Sequence, residues 1–299
     1  MIKTQTVVID KMTFDVTLAG DSSNPPVLFL HGFPQTNYTW RHQLPFLAEA
    51  GYYCIAPNQR GYSAGARPTG IDQYATSILL QDMLSLMDQL ALSGNQIHSQ
   101  SSELKPKVHI VGHDWGGQLS WLLAAFHPDR VKSLSVLSRP HPAAFIWAMQ
   151  QDAKQANRSK HHRAFQDDDS AKLLLADNAR RLRKMYADQW VSDTDIEAYL
   201  EILGSHEALN SAINWYRTRS DGTALVGDSV PPVNIPTLYL WGREDATVGR
   251  LAAEKTRDFV AAEFTFVEIP EVGHFITDQV IKEVNDNLLL HLNKVESSI

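Results

Sequence analysis

The sequence predicts an α/β protein: a mostly parallel central sheet flanked by helices and interrupted by one helical insertion. Three observations carry this. Short, unbroken apolar runs alternate with segments whose apolar residues recur every three or four positions. This is the pattern of strands buried on both faces between amphipathic helices. The alternation stops near Ser138 and resumes near Thr237, and the 299 residues, 43% of them apolar, suffice for a large core.

Residues 5–10 and 13–18 read as the first two strands, the second alternating Phe14, Val16 and Leu18. The runs 27–30 and 52–56, the latter ended by Pro57, read as buried strands. Leu79, Met83, Leu86, Met87 and Leu90 mark one face of a helix. A long polar loop over 93–106 leads into a strand at 108–111, a helix from Gly116 to Phe126 and a strand at 131–137. From about Pro140 to Ser229 the chain reads as helical and polar, with helices over 172–185, 195–203 and 207–216. Strands at 237–241 and 264–269 follow, and Val280, Val284, Leu288 and Leu292 define a closing helix. The division expected is a sheet domain in two parts, 1–138 and 231–299, with a helical cap at 139–230.

Charge and cysteine usage exclude several function classes. Lys and Arg total 27 against 34 Asp and Glu, a net charge of −7, which is not the footprint of a nucleic-acid binder. The single cysteine, Cys54, permits no internal disulfide framework and lies in an apolar run as a small buried hydrophobe. The N-terminal segment carries Lys3, Asp10 and Lys11 without the apolar core of a signal peptide, and no run approaches a membrane span. A cytoplasmic protein with no membrane partner is the expectation, and a homodimer is left open.

The chemistry concentrates in three places. Gly112-His113-Asp114-Trp115-Gly116 is a G-x-D-x-G turn between a strand and a helix. Glycines flanking a reactive residue allow a sharp turn that lifts its side chain above the sheet edge, as in the nucleophile elbow of serine enzymes, but here the position holds a carboxylate. Asp245 follows the strand at 237–241, and His274 follows the last strand. Nucleophile, acid, histidine is the order found in α/β-hydrolases.

On these motifs the chain resembles the epoxide hydrolase and haloalkane dehalogenase group of the α/β-hydrolases, whose nucleophile is aspartate. His31-Gly32-Phe33-Pro34 matches the HGxP loop typical of epoxide hydrolases, and the resemblance extends over nearly the whole chain, cap included. It implies that Asp114 attacks carbon to give an alkyl-enzyme ester and that His274, oriented by Asp245, activates the water that hydrolyses it. It nominates the backbone N–H groups of Phe33 and Trp115 as the oxyanion hole. Phe33, Trp115 and His162 are expected to line the substrate pocket. No metal or organic cofactor is implied.

An epoxide oxygen leaves as an alkoxide and needs a proton donor. Asn214-Trp215-Tyr216-Arg217 resembles the segment that carries one cap tyrosine of the family, which makes Tyr216 the first donor. Where the second tyrosine is usual, the run 159–165 has histidine, so His161 is the second donor, with His162 as its substitute. The small-molecule substrate implied is an epoxide. The alternative is an organohalide, for a haloalkane or haloacid dehalogenase on the same triad. That reading has Trp115 as a halide donor, but Phe33 replaces the asparagine usual after the HG pair. Trp115 and Gln118 stand where fluoroacetate dehalogenases carry arginines. His31, His113 and the Arg60 loop are assigned to structural support.

Overall fold

The structure, a computed structural model, describes residues 2–90, 105–218 and 230–298. Among these residues, eight strands form one sheet: β1 (Ile2–Ile9), β2 (Met12–Ala19), β3 (Pro26–Leu30), β4 (Tyr53–Pro57), β5 (Val108–His113), β6 (Val131–Leu137), β7 (Thr237–Gly242) and β8 (Phe264–Ile269). Their spatial order is β1-β2-β4-β3-β5-β6-β7-β8. β2 pairs antiparallel with β1 and β4, and every other pairing is parallel. This is the α/β-hydrolase arrangement, a mostly parallel sheet flanked by helices.

β5 is buried along its whole length because helices cover both faces. The register aligns Leu30 with Gly112, His113 with Leu137, and Leu137 with Leu240. The loops after β3, β5 and β7 therefore leave the sheet side by side at its carboxyl edge, where open α/β sheets place ligands. One helix not expected from the sequence, Gln43–Glu49, packs beside the closing helix Ile281–Glu296. Seven residues make about two turns, too few to show a helical period.

Among the described residues, six helices lie between β6 and β7: Pro142–Gln151, Ala153–Arg158, Lys160–Ala164, Ser170–Ala187, Asp193–Leu203 and His206–Arg217. The first three carry no long apolar stripe, so periodicity did not separate them. The helix expected over 172–185 is broken, since Asp177, Asn178 and Ala179 have φ of 53°, 56° and 58°. Asn and Asp tolerate that left-handed turn better than most residues.

The insertion sits on the core through polar contacts as well as apolar ones. Tyr186 donates its hydroxyl proton to the Pro34 carbonyl at 2.6 Å, and the Trp215 indole donates to the Arg60 carbonyl at 2.8 Å. Arg60 itself is held by a buried two-pronged pair with Asp82 at 2.6 and 2.7 Å. Residues 93–104 of the expected polar loop, and 219–229 at the end of the expected cap, lie outside the described residues.

Candidate active site

A single residue, Asp114, joins β5 to the helix Trp115–Phe126, with φ of 50° and ψ of −117°. Non-glycine residues seldom adopt positive φ, and a strained backbone of this kind is held by its surroundings. The surroundings here are steric. A Cβ on Gly112 would lie 2.1 Å from Ser120 Oγ, and one on Gly116 would lie 2.1 Å from the Leu30 carbonyl oxygen. Gly32 is equally constrained, because a Cβ there would meet Asp114 Cβ at 2.3 Å. The flanking glycines thus let the loop after β3 close onto Asp114.

The three chemistry-bearing loops converge. Asp114 Oδ1 accepts from the Phe33 backbone N–H at 2.9 Å, and its Oδ2 faces His274 Nε2 at 3.4 Å. His274 Nδ1 is 2.7 Å from Asp245 Oδ2. The other Asp245 oxygen accepts from the Thr247 N–H and hydroxyl, both at 2.7 Å, and from the Val248 N–H at 3.0 Å. Trp115 opens its helix, so its N–H has no partner within the helix.

Protonation follows from these contacts. Burial alone would raise the Asp114 carboxyl, but the hydrogen bond and charge of His274, with Arg139 adding, hold it well below the usual carboxylate range. Burial likewise opposes the charged imidazole of His274. The charge of Asp245 and the bonds to Asp114 and Asp245 outweigh it and hold the pKa up at about 10. Asp245, fully buried, is kept low against desolvation by His274 and Thr247.

A cavity of about 240 Å³ opens over Asp114. Phe33, Pro34, Phe165, Met185 and Phe275 form its apolar walls, and Asp114, His161, Asp188, Gln189, Tyr216, Thr247 and His274 its polar ones. Five of the residues singled out from the sequence, Phe33, Asp114, His161, Tyr216 and His274, therefore share one cavity, with Asp245 directly behind. Trp115 and His162, expected in the lining, stand next to this wall, against Tyr216. Each ring packs edge-on against Tyr216, with centroids 5.1 Å apart. The physical reason is the aromatic cluster around Tyr216, which includes Phe33 and Phe165 and takes both rings as support.

The two side chains expected as donors, Tyr216 and His161, differ in protonation. Burial pushes the Tyr216 hydroxyl well above its ordinary value, and the charge of Asp114 adds to this, so it carries its proton. His161 Nδ1 donates to the Arg158 carbonyl at 3.1 Å, leaving Nε2 as the second ring nitrogen. Burial lowers the His161 pKa. A neutral His161 in this tautomer accepts at Nε2, and only the charged ring donates there.

Several neighbours were not legible in the sequence. Arg139 forks both Nε and one terminal nitrogen onto Gln118 Oε1 at 3.1 and 2.9 Å and lies over the Phe145 ring. It brings a cation near the nucleophile although positions 115 and 118 hold none, but it is not part of the cavity wall. Its position two residues past the end of β6 was the available signal. Thr247, two residues after Asp245, was a second. His113, assigned to support, donates Nε2–H to the His274 carbonyl at 2.8 Å. His31 is fully buried and bonds the backbone of Gly32 and Gln59. Cys54 is buried and free.

Comparison with known proteins agrees with this architecture. The family model described as the alpha/beta hydrolase fold matches residues 25–279. The chain is 30% identical to the AB hydrolase superfamily protein YfhM of Bacillus subtilis, over 97% of this chain and 98% of that protein. It is also 30% identical to Epoxide hydrolase 4 of Mus musculus, over 89% of this chain and 72% of that one. The crystal structure of Epoxide Hydrolase A from Mycobacterium thermoresistibile superposes with a TM-score of 0.81 at 25% identity, covering 98% of each chain. No described helix is long and apolar enough to cross a membrane. The chain belongs to the α/β-hydrolase fold family, in its epoxide-hydrolase-like group.

Proposed function

We infer that the protein is an epoxide hydrolase, converting an epoxide and water to a vicinal diol through an ester on Asp114. The observation that carries the reading is the Asp114–His274–Asp245 chain of contacts beneath a cavity that also holds Tyr216. In this reading Asp114 Oδ2 attacks a ring carbon. The carbon–oxygen bond breaks, and the leaving oxygen takes the Tyr216 proton. Asp114 loses its charge on alkylation, and with it goes part of what holds the His274 pKa at about 10. His274 then gives up its proton, which returns through solvent to Tyr216, and becomes a base.

Neutral His274 takes one proton from a water, whose oxygen attacks the Asp114 carboxyl carbon. The negative charge that develops on Oδ1 meets the Phe33 N–H already bonded there, with the Trp115 N–H as the second donor. Collapse expels the diol oxygen, which takes the remaining water proton. Asp114 is again a carboxylate and His274 again charged.

The cavity size and its apolar walls favour a compact, uncharged epoxide. Single turnover in ¹⁸O-labelled water tests the covalent route. Label is expected in the Asp114 peptide, and diol formation without it overturns the route. The dehalogenase alternative is weaker, because the Trp115 indole is its one matched halide donor and Phe33 stands where an asparagine would supply the second. Halide release with epoxides inert would reverse that ranking. A cytoplasmic location and a homodimer are carried as proposals, tested by cell fractionation and light scattering.

A further inference from the structure

Two loops carry the acid and the base, and residues of the inserted helices grip both. On the acid loop, Gln155 is fully buried. Its Nε2 donates to the Thr247 carbonyl at 2.8 Å, and its Oε1 accepts from the Gly249 N–H at 2.7 Å. Arg158 donates to the carbonyl of Asp245 itself. On the base loop, Gln189 Oε1 accepts from the N–H of His274 at 2.8 Å and from that of Phe275 at 3.3 Å.

The second grip is doubled from the core side. Gln279 Nε2 donates to the Gln189 carbonyl at 3.0 Å and to its Oε1 at 3.3 Å, while Gln279 Oε1 accepts from the Gly273 N–H at 2.6 Å. Gly273 leaves room for this, since a Cβ there would lie 2.7 Å from Gln189 Oε1. The cap backbone bends to make the contact. The helix Ser170–Ala187 ends in a left-handed turn at Trp190, φ 64°, a position that favours glycine or asparagine. The Trp190 ring is 64% exposed, so its own packing does not demand that turn.

Asp114 is held differently. Its partners are the Phe33 N–H, the steric elbow and His274, all from the core. We propose that Gln155, Arg158 and Gln189 are positioning residues through which the cap sets the register of the Asp245–His274 pair. They govern hydrolysis of the ester and have no part in its formation, which rests on Asp114 and Tyr216. The inference rests on the covalent reading above. Loss of the Gln189 oxygen frees the His274 backbone to shift, and a shift of an ångström in a catalytic group costs up to ~100-fold.

The test is rapid-quench single turnover of the full chain with an epoxide, following ester formation and decay by intact mass. In Gln189→Leu, decay of the ester is expected to slow at least roughly ten-fold more than its formation, so that the ester accumulates. Gln189→Glu keeps the acceptor oxygen and restores decay. Its added charge beside His274 moves the acid limb of the decay profile to higher pH, which a merely structural role would not do. Gly273→Ala crowds the same oxygen and gives the same selective slowing, should Gln189→Leu not fold. Equal slowing of both steps, or unchanged decay, overturns the proposal. An unmodified wild-type chain that still makes diol overturns the covalent reading itself, and this inference with it.

Discussion

The elbow beneath Asp114 and the cap wall around Tyr216 meet across one cavity, but they are held by different physics. The elbow is fixed by contacts that leave no room for a methyl group, on backbone atoms of β3, β5 and the helix behind them. The cap wall is an assembly of rings. Tyr216 touches Phe33, Trp115, His162 and Phe165 with centroids 4.8 to 5.4 Å apart. Bond-making chemistry therefore sits where sterics forbid change. Leaving-group assistance and substrate fit sit where side-chain packing can be retuned at the cost of about 1 kcal/mol per ring contact.

The sharpest way to break this contrast is Gly116→Ala. The added Cβ would sit 2.1 Å from the Leu30 carbonyl, backbone against backbone, so the elbow must move. Loss of turnover beyond roughly 1000-fold, or loss of the fold, is expected in activity assays and thermal melts, because overpacking at a backbone site has no flexible neighbour to absorb it. Near-normal turnover would show that the elbow is as yielding as the cap.

An intermediate effect belongs to the cap donors. Tyr216→Phe keeps the ring cluster and removes the proton, so kcat for epoxide opening is expected to fall roughly 100-fold or more, the scale of a lost general acid. His161→Gln is expected to cost less near neutral pH, where burial keeps that imidazole uncharged. Its cost should grow toward acid pH, where the charged ring donates. A pH–rate comparison of the two variants checks this, and equal losses at every pH would reassign His161 as an equal donor.

The smallest effect concerns stability. The folded-state pKa of His274, about 10, lies above its ordinary 6.5. A raised pKa means the charged pair stabilises the fold fully below the unfolded value and loses that contribution as pH rises through the folded one. The Tm difference between wild type and His274→Gln is thus expected to be largest below pH 6.5 and to shrink toward pH 10. A difference independent of pH would mean that the charge on His274 contributes nothing to holding the loops together.

Much of the elbow side was readable one residue at a time. Gly112, Asp114 and Gly116 are close in sequence, and their spacing states the turn. The chain order of Asp114, Asp245 and His274 follows from parallel strands, because each loop after a strand leaves at the same edge. The cap side resisted the same reading. Gln155, Arg158 and Gln189 stand 85 to 94 residues from the backbone atoms they bond, and no local spacing announces such a partner. Arg139 was hidden likewise, since its approach to Gln118 depends on how β6 and the helix after β5 lie together.

What the amino-acid order determined alone is the fold class, the split sheet and the three loops that carry chemistry. These rest on period, glycine placement and strand order, which are local or topological. Only the tertiary structure decided which cap side chains face the cavity, which stand behind it, and which clasp the loops of Asp245 and His274. Those outcomes depend on how short helices settle on the core. Many weak contacts of similar energy are balanced there, and none of them is written in a single stretch of sequence.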